Sequence, residues 1–176
     1  MDKPKIYLET TMFSFYYEER MSPLYLEQKA LVRRIFELIK AGVYEPYTST
    51  YATREINNEM GLDKRKKMQA LVYDYAIMFL PITEEIERLA VLYVKEMAIS
   101  PAWVTDAAHI ATATYNGLDF IVSLNFAHIV RPWTIERVRS VNMREKYRAI
   151  GIYKPEEVLE IYEDSTRLSE RSPDSQ

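Results

Sequence analysis

The residues of this chain best suited to chemistry are acids and one amide, Glu9, Glu55, Asp106 and Asn125. Oxygen-bearing side chains of this kind can hold a hard cation, move a proton, or do no more than cap a helix. Much else is excluded by what is missing. There is no cysteine, which removes disulfides, thiolate zinc sites, iron–sulfur clusters and thiol nucleophiles. The four glycines, at positions 42, 61, 117 and 151, are widely separated. Glycine-rich phosphate cradles, dinucleotide fingerprints and the GxSxG elbow are therefore absent. The two histidines, His109 and His128, are too far apart for HExxH or a multi-histidine metal site. Carboxylates, hydroxyls and basic side chains are the tools that remain.

These four residues have to be positioned by the elements around them. Residues 5–8 are short, apolar and strand-like, with Glu9 at their end. Residues 24–41 carry apolar side chains at helical spacing and stop at Gly42, where a helix C-terminus favours glycine. Residues 43–47 read as a second strand, 49–60 and 63–75 as helices, and 77–80 as a third strand. Thr83 followed by Glu84 and Glu85 opens a helix that runs to about Met97. Ser100 and Pro101 suit the start of the next, over 102–115, which stops at Asn116-Gly117. Residues 119–123 form a fourth strand and 132–148 a helix. A short strand over 150–153 and a helix over 155–162 follow.

Strands thus alternate with helices. The pattern predicts an α/β fold, a three-layer α/β/α sandwich around a parallel sheet of four to five strands with right-handed crossovers. At 176 residues the chain has the length of one domain. We expect that domain over residues 1–163, with 164–176 as a polar, frayed tail. In such a sheet functional groups gather beyond the carboxyl ends of the strands. Glu9 and Asn125 can share that rim, with Glu55 near it, and Asp106 joins them if its helix begins there.

The helix around Asp106, TDAAHIATA at 105–113, is small and apolar nearly throughout, so it should be buried. A carboxylate in it is costly unless paired or bound to a cation, although a local cap or salt bridge would also satisfy it. Here the chain resembles the PIN domains, in particular the branch of VapC-type toxins and their solitary relatives. The matching blocks are IYLETT at 6–11, YTSTYATREI at 47–56, TDAAHIATA at 105–113 and DFIVSLNFAHI at 119–129, with a weaker match in GIYKPEEVL at 151–159. They occur in order along nearly the whole chain. Two positions depart from the family pattern: Glu9 stands where the family usually has aspartate, and Asn125 where it often does.

The resemblance implies a metal-dependent ribonuclease that hydrolyses RNA phosphodiester bonds. On it, Glu9 and Asp106 are the principal metal ligands, Glu55 binds through water or orients the nucleophile, and Asn125 supports them. Oxygen donors of this set suit Mg²⁺ or Mn²⁺ rather than zinc or copper. Crowded carboxylates should leave the metal-free site strained or partly protonated. Thr10, Thr11 and Ser123 can hydrogen-bond to the carboxylates or to phosphate, or serve as local caps. His109 reads as a buried, neutral, hydrogen-bonded histidine. His128 and Arg131 lie nearer the expected substrate path. Two rival readings stand beside this one. One is a PIN-fold RNA-binding module whose Glu9 and Asn125 departures have weakened catalysis; the other is an unrelated α/β protein whose acids are scattered and structural.

The overall charge is −3, so no global basic field marks a generic nucleic-acid binder. Charge is uneven, however: residues 131–154 carry seven basic side chains against two acidic ones. That segment, which includes Trp133, can hold phosphates or stack on a base, or be a solvated helix face around a core tryptophan. Phe13, Phe15, Tyr16 and Tyr17 either enter the core or form a groove for a partner. By resemblance the partners are RNA, a small antitoxin and a second copy of the chain. No apolar run is long enough to span a bilayer, and we expect a cytoplasmic protein.

Overall fold

Apolar runs too short for a helix become strands, and the amphipathic stretches between them become the crossovers. The computed structural model describes residues 2–96 and 98–171. Strand β1 (Lys5–Leu8) leads into helices α1 (Thr10–Tyr16) and α2 (Pro23–Lys40). Strand β2 (Glu45–Ser49) leads into α3 (Thr50–Asn57) and α4 (Leu62–Asp74). Strand β3 (Met78–Leu80) is followed by α5 (Glu84–Lys95), a 3₁₀ turn at Pro101–Trp103, and α6 (Val104–Tyr115). Strand β4 (Phe120–Val122) precedes α7 (Pro132–Arg144), and β5 (Gly151–Tyr153) precedes α8 (Pro155–Arg171).

The five strands form one parallel sheet in the order β3-β2-β1-β4-β5. A parallel sheet must be covered on both faces, and the side-chain alternation shows how. Ile6, Leu8 and Val122 pack with Val32, Ile35 and Phe36 of α2, Ile56 of α3, Met68 and Leu71 of α4, and Val158 of α8. Tyr7 and Ile121 point the other way, into a core built from α5, α6 and α7. The result is the expected three-layer α/β/α sandwich.

The strand order also decides where a site can form. From β1 the chain steps outward to β2 and β3, then crosses back to lay β4 on the other flank of β1. The crossovers therefore diverge between β1 and β4, and the crevice beyond their carboxyl ends is left open. Glu9 follows β1 there, and Ser123 and Asn125 follow β4. Helix α6 ends at the opposite edge, where Leu118 N donates to Ala113 O and Asp119 N to Lys5 O. Its first turn, with Asp106, is thereby carried up to the crevice.

Several boundaries differ from the sequence pattern. Helix α7 stops at Arg144 rather than near 148, because Lys146 adopts a left-handed φ of 62° and Tyr147 N closes back onto Asn142 O. Helix α8 continues to Arg171 instead of fraying after 163. There Arg167 pairs with Glu163 and Asp164, and Ser165 and Thr166 donate to Tyr162 O. Met97 and residues 172–176 lie outside the described residues. Phe13 is buried, while Tyr16 meets Phe36 and Tyr75 edge-to-face, so this aromatic group belongs to the core beside α2 and α4.

Candidate functional site

Glu9 directly follows β1 and is the N-cap of α1. Its backbone is extended, and its long side chain bends back so that Thr11 N donates to Oε2 at 3.2 Å. The same oxygen accepts from Thr11 Oγ1 at 2.5 Å and from Ser123 Oγ at 2.7 Å. Thr11 and Ser123 are themselves held, because their oxygens accept from Leu124 N and Asn125 N. A carboxylate that is 3 % exposed is thus fixed by hydroxyls from both sides of the crevice. The methylene that glutamate has beyond aspartate provides the reach for this capping geometry.

Glu55 approaches from α3. Thr10 Oγ1 donates to its Oε2, and His109 Nε2 lies 2.9 Å from the same oxygen. Behind His109 runs a buried chain: its Nδ1 is 2.7 Å from the Tyr7 hydroxyl, which is 2.6 Å from Ser49 Oγ. Ser49 in turn accepts from Tyr51 N at the start of α3. Tyr7 precedes Glu9 by two residues on β1, so both face α6. Burial pushes the Glu55 carboxyl up, but hydrogen bonds from His109 and Thr10 and the imidazole charge outweigh it, leaving the group below its usual value. Burial likewise disfavours the charged form of His109, yet the hydrogen bond to Glu55 and the charges of Glu9, Glu55 and Asp106 raise its pKa. The pull of these carboxylates on the ring is toward its charged form. Burial pushes the Tyr7 hydroxyl well up, so it stays protonated.

Asp106 sits in the first turn of α6 and is 8 % exposed. Its Oδ2 is buried and has no hydrogen-bond partner. Burial, and then the charge of Glu9, raise its pKa, while the side-chain hydrogen bond with Asn125 works against them. Asn125 is oriented for that bond because its Oδ1 accepts from His128 N at 3.1 Å. The His128 ring stacks on Trp103. Arg131 caps α7, and its Nε donates to Thr134 Oγ1. Thr134 Oγ1 also contacts His128 O and Ala98 O, which ties the loop after β4 to the loop before α6.

The structure therefore brings Glu9, Glu55, Asp106 and Asn125 to one edge, with Thr10, Thr11 and Ser123 among them and His128 and Arg131 on the rim. Among the described residues, the tightest group of ligand-type side chains is Glu9, Glu55 and His109, with ligand atoms all within 4.8 Å of one another. Asp106 falls outside that group but close enough for its carboxyl to respond to Glu9. His109 and Tyr7 were not among the expected site residues. Tyr7 shares its strand face with Glu9, and His109 lies one helical turn from Asp106; these spacings are the signals that point to them.

The donor set fits a hard divalent cation. His109 has both ring nitrogens engaged, so the atoms left to offer are carboxylate and amide oxygens. A buried carboxylate oxygen without a partner, such as Asp106 Oδ2, is costly unless something positive approaches it. No protein-family model matches the chain, and no curated protein matches it in sequence. Among solved structures, the crystal structure of VapBC2 from Rickettsia felis bound to a DNA fragment from their promoter is similar in outline. The TM-score is 0.49 at 9% identity, over 85% of this chain and 98% of that chain. A likeness this distant says nothing about activity.

Proposed function

We propose that this protein is a PIN-type ribonuclease that hydrolyses RNA phosphodiester bonds with Mg²⁺ or Mn²⁺. One observation supports this above the others: the buried, unpartnered Asp106 Oδ2 beside Glu9 at the open crevice between β1 and β4. Glu9, Asp106 and Glu55 would hold the ion, with Asn125 beside them. When bound, the ion supplies positive charge that activates a water and offsets the charge of the departing 3′-oxygen. The chain's own groups do the rest. Thr11 and Ser123 fix the direction of Glu9, and His109 and Thr10 keep Glu55 ionised and in place. His128 and Arg131 would meet the phosphate chain as it leaves the crevice. On this reading the protein is the toxin of a VapC-type pair or a solitary relative, with a small antitoxin as partner. It acts as a homodimer in the cytoplasm. Among the described residues, no helix is long and apolar enough to cross a membrane.

One observation favours a second reading, the catalytically weakened RNA-binding module. Three donors already converge on Glu9 Oε2, and the Asn125 amide oxygen accepts from His128 N, so part of the set is satisfied without an ion. Labelled RNA separates the two. Cleavage with Mn²⁺ that is abolished by a chelator and by Asp106→Asn supports the nuclease; binding without cleavage in every metal supports the module. Manganese anomalous signal between Glu9 and Asp106 in soaked crystals tests the metal site directly.

A further inference from the structure

Trp103 is the N-cap residue of α6, one helical turn before Asp106. Large aromatic side chains are usually buried, yet this one is 47 % exposed. It does not lie loosely on the surface. The His128 ring packs against it with centroids 4.2 Å apart and planes 21° from parallel. Because His128 covers one face of the indole, a planar ligand can stack on the ring only from the opposite face. His128 is anchored in turn, its N–H on Asn125 Oδ1. The stack therefore joins the N-terminus of α6 to the loop after β4, one turn from Asp106.

A second aromatic of the same kind lies along the rim. Trp133, in the first turn of α7, is 48 % exposed and carries the Arg137 guanidinium 4.4 Å from its ring centroid. Arg131 and Thr134 connect that turn back to His128. A flat ring with one face to solvent, backed by a second ring and set beside carboxylates able to hold a cation, suits a flat apolar ligand attached to an anionic chain. Unpaired nucleobases on a phosphodiester backbone have this form, whereas bases stacked inside a duplex offer no free face.

We propose that the open face of Trp103, backed by His128, is a stacking platform for one unpaired nucleobase of the bound RNA. The inference rests on the ribonuclease reading above and extends it to substrate selection. The platform acts on binding rather than on the reacting atoms.

The test uses Trp133→Phe, which leaves Trp103 as the one tryptophan of the chain. In chelator, so that nothing is cut, its fluorescence is titrated with a single-stranded RNA of about ten nucleotides, within the span such surfaces engage. Saturable quenching by the single strand is expected, with little from the same sequence as a duplex or from an abasic strand. Trp103→Ala should weaken binding about tenfold, the scale of one lost base–aromatic stack, and Trp103→Phe should restore most of it. In cleavage assays the loss should fall on KM and leave kcat unchanged. Equal quenching by duplex and abasic strands, or unchanged affinity in Trp103→Ala, overturns the proposal. So does loss of self-association in Trp103→Ala with RNA affinity intact, which assigns the ring to a protein contact. RNA cleavage without these signals sinks the platform and leaves the ribonuclease reading standing. Quenching without cleavage in any metal upholds the platform and removes the ribonuclease reading.

Discussion

Asp106→Asn should make the metal-free protein more stable while abolishing its response to metal. The wild-type carboxylate is 8 % exposed, has an oxygen with no partner, and feels the charge of Glu9. An amide keeps the shape and removes the charge that burial and Glu9 disfavour. A buried unsatisfied group costs more when it is charged than when it is neutral, so relief of roughly 1–2 kcal/mol is expected. For a chain of this size that raises Tm by roughly 2–8 °C in chelator. Mn²⁺ at a hundred times its Kd should instead stabilise the wild type by about 2.7 kcal/mol and leave the Asp106→Asn protein nearly unmoved. The order of the two melting curves therefore reverses between chelator and Mn²⁺. The pH dependence has a definite sign. Burial and Glu9 hold the Asp106 carboxyl above its usual 3.8, so the folded state binds that proton more tightly than the unfolded. Its contribution to wild-type stability is greatest below pH 3.8 and is lost as pH rises through the raised folded value. The Tm advantage of Asp106→Asn in chelator should widen over that window and then level off. A variant that melts below wild type in chelator at neutral pH, or one that still gains from Mn²⁺, would refute the account of Asp106 as a strained cation ligand.

Tyr7→Phe removes the hydroxyl that partners His109 Nδ1 in a fully buried setting, while Ser49 keeps its bond from Tyr51 N. One orphaned ring nitrogen should cost about 1–3 kcal/mol, read as a lower Tm, and Mn²⁺ binding measured by calorimetry should weaken because Glu55 loses its support. Ser123→Ala takes a donor from Glu9 and an acceptor from Asn125 N, and a similar loss of about 1–3 kcal/mol is expected by chemical denaturation. In Arg20→Ala, Glu18 loses the guanidinium whose hydrogen bonds hold its carboxyl down at about 2. That depressed value stabilises the wild type above pH 4.5 and is lost as pH falls toward 2, so the Tm gap between wild type and variant should close over that range.

The gathering of Glu9, Glu55, Asp106 and Asn125 at one edge was legible because alternation leaves little choice. If strands are parallel, the residue after each strand and the first turns of the neighbouring helices must meet at the carboxyl edge. Asp106 required one more condition, that α6 begin at that edge, and the Pro101 turn that starts the ascent is visible in sequence. The rotation of each helix about its own axis was not legible. His109 reads from sequence only as a buried, hydrogen-bonded histidine, and it is the packing of α6 on β1 that aims the ring at Glu55 and Tyr7. A strand-end glutamate also gave no sign that it would cap the next helix, since that depends on hydroxyls at Thr11 and at Ser123 far along the chain. Helix α8 outran its expected end for a local reason: polar side chains that read as solvated tail pair with one another one turn apart.

The placement of β4 against β1 has a consequence for biosynthesis. Glu9 comes from the start of the chain, whereas Asp106 and Ser123 come from beyond its midpoint, and the Glu9–Ser123 bond bridges 114 positions. A polypeptide still emerging from the ribosome with only β1, β2 and β3 finished contains one half of the acid cluster and none of the other. The grouping of acids at the crevice is thereby withheld from unfinished forms of the chain and arises only once β4 has docked against β1.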